Sequence, residues 1–212
     1  MAADSTQKTK AELTRERLLK LALREFNRKG FEKVGMRDLA KAADLSLGAF
    51  YYHFRSKDEI VHVYYAETLE IFEAGARKIF TETRSFEERL ERVLEHRLAT
   101  FQENREVLIA LSQVASDPRS ELSPFGEGTR EIRVAATRVF EELVQGSDLK
   151  VHRELQPILP TLLWMVMMGS VLFWVFDASP DQRRTFTLIR NATLLMTRLL
   201  RLTGQPIASR FV

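Results

Sequence analysis

No cysteine occurs in the 212 residues, which excludes disulfides, thiolate metal sites and cysteine nucleophiles. Histidine is scarce: His53, His62, His96 and His152 show no HExxH or paired-ligand spacing, so neither a metal nor a cofactor is expected. No Gly-rich phosphate loop and no nucleophile–base pairing stands out, and an enzyme is not expected either. The N-terminal stretch MAADSTQKTKAELTRER lacks the apolar core of a signal peptide, which points to a cytoplasmic protein. Gly and Pro are rare before residue 118, and apolar residues recur at helical spacing almost everywhere, so the expected fold is all-α.

Charge is unevenly placed. Residues 1–57 hold 13 Lys plus Arg against 7 Asp plus Glu, whereas the remainder holds 19 against 22. A basic first quarter suits a segment that faces a polyanion.

That quarter also carries the most unusual run, SLGAFYYHFRSKDEI, from Ser46 to Ile60. The periodicity predicts a first helix from Ala11 to Lys29 stopped by Gly30, and a short second one from Met36 to Ala43. After the interruption at Asp44–Ser46, a third fits Leu47 to His53, with Ser46 as its N-cap. Phe50 and Phe54, four apart, turn inward toward Leu39 and Phe26. Leu47, Gly48, Ala49, Tyr51, Tyr52 and His53 are left mainly outside. Two short helices joined by a tight turn match a helix-turn-helix. A second helix faced with small residues and hydrogen-bonding aromatics suits a major groove, its tyrosines and His53 reaching phosphates and Lys57 adding charge at the edge. The rival reading is an aromatic patch for protein contact.

The stretch TRERLLKLALREFNRKGFEKVGMRDLAKAADLSLGAFYYHFRSKDEI resembles the N-terminal domain of TetR-family transcriptional regulators. The resemblance implies that Tyr51 contacts a phosphate, as Tyr52 and His53 do in some members, and that Lys57 contacts the DNA backbone. It places Ser46, Leu47, Gly48 and Ala49 at or near the duplex. Arg37 matches a position that reads a base in some members; paired with Asp38 or Glu32, it is only a surface arginine. Two residues depart from the family pattern. Gly35 caps the second helix where Ser or Thr is common, and Asp44 occupies a turn position that is usually glycine.

From Lys57 onward, helices are predicted at 57–80, 86–103, 105–116, 125–145, 155–177 and 181–202. The expected division is therefore a DNA-binding domain at 1–56 and a ligand-binding and dimerisation domain at 57–212. Capping boxes are expected at Ser56 with Glu59, Ser85 with Glu88, and Ser179 with Gln182. The uncharged run LQPILPTLLWMVMMGSVLFWVF is long enough to span a membrane, although Gln156, Pro157 and Pro160 and the helix-turn-helix upstream argue for a buried helix. The last helix carries two apolar stripes. One is Phe186, Ile189, Thr193, Met196 and Leu200; the other, Leu188, Ala192, Leu195, Leu199 and Leu202, is the candidate homodimer interface. Phe72, Phe101, Leu111, Trp164, Met167, Met168 and Phe173 are candidates for an effector pocket, with Trp174 beside them. Arg97, His96 and Gln102 are candidates for its polar end, but nothing in the sequence selects among them. The resulting expectation is a dimeric repressor, released from a palindromic double-stranded DNA operator by an apolar or amphipathic small molecule. The alternatives are a membrane-associated helical protein, or an activator with no small-molecule inducer.

Overall fold

Residues 9–115, 117 and 119–203 are described by the structure, a computed structural model, and they form only helices and turns. Helix α1, Lys10–Lys29, opens on a reciprocal cap. The Glu12 amide donates to Thr9 Oγ1 at 3.2 Å, and the Thr9 amide donates to the Glu12 carboxylate at 2.7 Å. Leu18, Leu19, Ala22, Leu23 and Phe26 line its buried face. Gly30, at φ 87°, ends it in a backbone region that a Cβ would strain.

Two short helices follow, α2 (Met36–Ala42) and α3 (Leu47–His53). Phe50 and Phe54 are fully buried, as expected, and Phe26, Phe31 and Leu39 complete a small aromatic core, with the Phe26 and Phe31 rings edge-on at 5.1 Å. Burying one such side chain contributes roughly 1.5–3 kcal/mol, so this cluster holds together helices too short to persist alone.

Helix α4, Lys57–Glu82, runs from this unit into a larger bundle, a span of about 39 Å at 1.5 Å per residue. The bundle adds α5 (Phe86–Phe101), α6 (Arg105–Ala115), α7 (Arg130–Gln145), α8 (Leu159–Phe176) and α9 (Arg183–Thr203). Helix α5 is central and touches α4, α7, α8 and α9. It lies so close to α4 at Gly75 that a Cβ there would stand 2.0 Å from His96 Nε2, and that ring nitrogen is within hydrogen-bonding distance, 3.1 Å, of the Ile71 carbonyl oxygen. Asn27 ties the C-terminal end of α1 to the bundle: its Nδ2 donates to Asn104 Oδ1 at 3.1 Å, and its Oδ1 accepts from the Val107 amide at 3.0 Å.

Several local expectations are corrected. Helix α7 begins at Arg130 rather than 125, because Pro124, Gly126 and Gly128 lie in successive turns whose 3.0 Å bonds include Gly126 N–H to Ser123 O. Helix α8 starts at Leu159, after turns around Pro157. Ser56 and Ser85 each cap their helix, but the matching carboxylates turn elsewhere. Glu59 accepts from the Arg55 amide and from Arg15, and Glu88 accepts from Thr83. Ser179 Oγ accepts from the Arg184 amide, and Gln182 supplies no side-chain cap.

Helix α8 is long and apolar enough to cross a membrane, and 44% of it is buried inside the protein. Leu163, Trp164, Met167, Val171 and Trp174 form its inner face against α5, α6 and α7. Arg105 closes its C-terminal end, donating to the carbonyls of Trp174, Val175 and Asp177 at 2.7–3.3 Å. That inner face is packed against protein, whereas Leu162, Met165, Leu172, Phe173 and Phe176 on the outer face are exposed.

Candidate nucleic-acid interface

The turn between α2 and α3 explains how α3 is aimed. The Leu45 amide donates to Ala40 O at 3.0 Å and the Asp44 amide to Lys41 O at 3.2 Å, the paired bonds of a Schellman termination. Asp44 occupies the left-handed position of that motif at φ 55°. Gly35 begins α2 without a side-chain oxygen, but its amide donates to Asp38 Oδ2 at 2.8 Å, which leaves that carboxylate capping the helix rather than pairing with Arg37. Ser46 Oγ then accepts from the Ala49 amide at 3.1 Å and starts α3.

With Phe50 and Phe54 held in the core, the opposite face of α3 is fixed. Gly48 and Ala49 are exposed, Tyr51 is 44% and Tyr52 81% exposed, and Leu47 and His53 are half-buried. The Tyr52 and His53 rings meet edge-on at 5.1 Å. Nothing lies within 4 Å of the place a Gly48 Cβ would occupy. Glycine inside a helix costs about 1 kcal/mol relative to alanine, and no internal contact here requires it. A bare backbone facing outward is what close approach by another molecule needs.

The flanks are basic. Arg37 is exposed and forms no ion pair with a described residue. With Lys41, Ser46 and Leu47 it borders a shallow recess of about 430 Å³ at the turn. Lys41 belongs to this edge and was not singled out from the sequence; its exposure opposite Leu39 and Ala40 on α2 was the available signal. Lys57 is half-buried. Its ammonium donates to the Phe31 carbonyl at 2.8 Å and sits 4.4 Å from the Phe31 ring centroid, which leaves two of its three N–H groups for another acceptor. Arg15 stacks on Phe54 and bonds Glu59 at 2.7 Å, bracing the turn between α3 and α4.

The C-terminal candidates divide. Phe72 and Phe101 are brought together around Arg97, whose guanidinium carbon is 5.1 and 4.1 Å from their ring centroids. Leu111 and Met167 are buried and Met168 half-buried. Trp164 is buried beneath Phe125, ring centroids 5.4 Å apart, whereas Phe173 is 44% exposed on the outer face of α8. His96 and Gln102 border a surface recess of about 530 Å³ with Phe186, and Arg97 faces the interior instead. Leu188, Leu195, Leu199 and Leu202 are exposed and Ala192 half-buried, while Ile189 and Thr193 of the other stripe are buried. Among the described residues no three His, Asp or Glu side chains gather as metal ligands.

Short helices of this kind, with a groove-sized outward face and basic flanks, define a helix-turn-helix DNA-binding protein. Residues 18–64 match the family described as bacterial regulatory proteins, tetR family, and residues 89–211 match the tetracyclin repressor-like C-terminal domain. The chain belongs to the TetR family of DNA-binding transcriptional regulators, a family of regulators rather than enzymes. It is 31% identical over 118 residues to a probable acrEF/envCD operon repressor of Escherichia coli, covering 54% of this chain and 48% of that one. It is 33% identical over 107 residues to the uncharacterised regulator YdgC of Bacillus subtilis, covering 50% and 48%. The chain thus spans about half the length of the curated relatives it matches. Among solved structures, the fatty acid degradation regulator FadR of Bacillus halodurans superposes with a TM-score of 0.69 at 18% identity, over 92% of this chain and 99% of that one. A TetR regulator from Nitrosomonas europaea gives 0.67 at 16% identity, over 88% and 99%. At such identities the likeness is one of fold.

Proposed function

We propose that the chain is a cytoplasmic, dimeric repressor that holds a palindromic operator through α3 and lets go when a small molecule binds in the C-terminal bundle. The observation that carries this reading is the outward face of α3, where Gly48, Ala49, Tyr51 and Tyr52 have no internal task. Residues 1–56 act as the DNA-binding domain and residues 57–212 as the ligand-binding and dimerisation domain. The E. coli relative is described as a repressor, which favours repression over activation.

Tyr51, Tyr52, His53 and Lys57 serve as phosphate contacts, and Ser46, Leu47, Gly48 and Ala49 lie against the groove, with Arg37 addressing a base edge bidentately. The Leu188, Ala192, Leu195, Leu199 and Leu202 stripe of α9 meets its copy across a two-fold axis. Two α3 helices then reach major grooves about one helical turn or a multiple apart. Helix α4 links Lys57 to Phe72 without a break, so a ligand beside Phe72 and Phe101 shifts that spacing. Hundredfold release requires about 2.7 kcal/mol of coupling, and operator must weaken the ligand by the same factor. Selection of duplexes from a random pool tests this: recovered sites should be inverted repeats, and recovery of no sequence preference would refute the reading.

A further inference from the structure

Among the arginines that reach into the bundle, Arg89 and Arg105 have structural tasks. Arg89 donates to the carbonyls of Thr83, Phe80 and Leu143, at the C-terminal ends of α4 and α7. Arg105 closes the C-terminal end of α8 in the same way. Helix C-termini carry partial negative charge, so both guanidiniums are matched electrostatically as well as by hydrogen bonds.

Arg97 is different. It is 7% exposed, deeper than Arg105, and among the described residues its one hydrogen bond runs from Nη1 to Thr68 O at 2.9 Å, in the middle of α4. Its Nε has no hydrogen-bond partner among them. No carboxylate of the described residues acts on it; its electrostatic neighbours are the Tyr64 and Tyr65 phenols, and burial pushes its pKa down to about 10, still charged at neutral pH. The Tyr64 phenol lies beside it, also buried, with the Asn104 side chain as its polar neighbour. Phe101 touches both, at 4.1 Å from the guanidinium and 6.2 Å from the Tyr64 ring. A buried guanidinium with an unpartnered Nε and a neighbouring buried phenol therefore share the aromatic walls of Phe72 and Phe101, with no carboxylate of the described residues paired to the cation. An unpaired buried charge of this kind is costly and is retained where something pairs with it.

We propose that Arg97 and Tyr64 form the head-group site of the effector, and that the effector is an organic carboxylate whose apolar part lies against Phe72 and Phe101. This rests on the reading of the chain as a ligand-responsive regulator and specifies the ligand's class. A carboxylate accepts from the guanidinium fork and from the phenol, and supplies the one negative charge the core lacks. The site also sits beside the link to the DNA-binding unit. Asn104, next to Tyr64, is hydrogen-bonded to Asn27 of α1, so a ligand that moves Tyr64 disturbs the contact that positions the helix-turn-helix.

The test uses the full-length chain with decanoate and phenylacetate, each compared with its neutral alcohol, decanol or 2-phenylethanol. Thermal unfolding and tryptophan fluorescence report binding. At least one carboxylate should bind roughly 10- to 100-fold more tightly than its alcohol, the usual worth of a charged hydrogen-bonded head. Arg97→Met should keep the fold and lose that preference, and Arg97→Lys should retain part of it. Acids and alcohols binding alike, or neither acid binding, would overturn the proposal. So would an undiminished preference in Arg97→Met. If Arg97→Met fails to fold, Tyr64→Phe and Arg97→Lys decide, since an unchanged preference in both overturns it as well. A carboxylate that binds through Arg97 yet leaves operator affinity unchanged supports the anion site and refutes the release mechanism instead.

Discussion

Charging the exposed stripe of α9, as in Leu195→Glu with Leu199→Glu, should convert the protein into a folded monomer. Ten large apolar side chains on and beside α8 and α9 are 43–63% exposed: Ile158, Leu162, Met165, Leu172, Phe173, Phe176, Leu188, Leu195, Leu199 and Leu202. Fully burying such a side chain contributes roughly 1.5–3 kcal/mol, so about 1 kcal/mol remains unrealised at each. Two subunits together withhold about 20 kcal/mol, against an association cost of roughly 4–15 kcal/mol. A net of about 10 kcal/mol corresponds to a dissociation constant of tens of nanomolar. The double substitution removes four leucines from the seam and places four carboxylates there without partners, each costing several kcal/mol, which exceeds the net. Neither leucine belongs to the subunit's own core, so helical circular dichroism should be unchanged. Sedimentation velocity at micromolar concentration should show a monomer. An intact dimer would refute the assignment of this face, and an unfolded chain would show that the stripe packs inward.

Three further outcomes follow from the geometry. Tyr51→Phe and Lys57→Ala should weaken all duplexes similarly, and Lys57→Ala should flatten the log–log salt slope by roughly 0.9 per lost phosphate contact in an anisotropy titration. Asp44→Gly relieves the left-handed residue of the α2–α3 turn, and should raise stability by about 0.5–1 kcal/mol in urea unfolding with operator affinity unaltered. Asp177 is shielded from solvent, which raises its pKa, but hydrogen bonds from Ser179 and Thr185 outweigh burial and hold it well below the usual carboxylate range. A lowered folded-state pKa means that its stabilisation is complete above about pH 4 and lost as pH falls through the folded value. Asp177→Asn should therefore flatten the acid limb of stability against pH, measured by urea unfolding at stepped pH.

The helix-turn-helix was almost fully legible because its signals are local. Ser46 caps the helix from one turn away, and Phe50 and Phe54 at a spacing of four fix which face is buried, so the bounds of α3 agree with the expected ones. The bundle was less legible because its decisions are made between helices. Both stripes of α9 read as apolar, yet the buried side includes Thr185, Thr193 and Thr197, and only packing against α5 distinguishes it from the exposed leucines. Arg97 illustrates the same limit. In the sequence it stands level with Arg89 and Arg92, and only the orientation of α5 sends it into the interior while Arg92 remains at the surface with Glu82 and Glu88. Helix α7 begins five residues later than expected because Pro124, Gly126 and Gly128 turn the chain around Phe125 before Thr129 and Arg130 start the helix.

The most direct test of the DNA-binding account is Gly48→Leu. The place its Cβ would occupy is open, so the substitution should leave the fold intact and favour the helix by up to about 1 kcal/mol. In the complex that space belongs to the duplex. Fluorescence anisotropy with the selected operator should show affinity reduced by about a hundredfold or more, equivalent to roughly 2.7 kcal/mol, together with an unchanged or raised Tm. Wild-type affinity in a folded Gly48→Leu protein would contradict the placement of α3 against DNA.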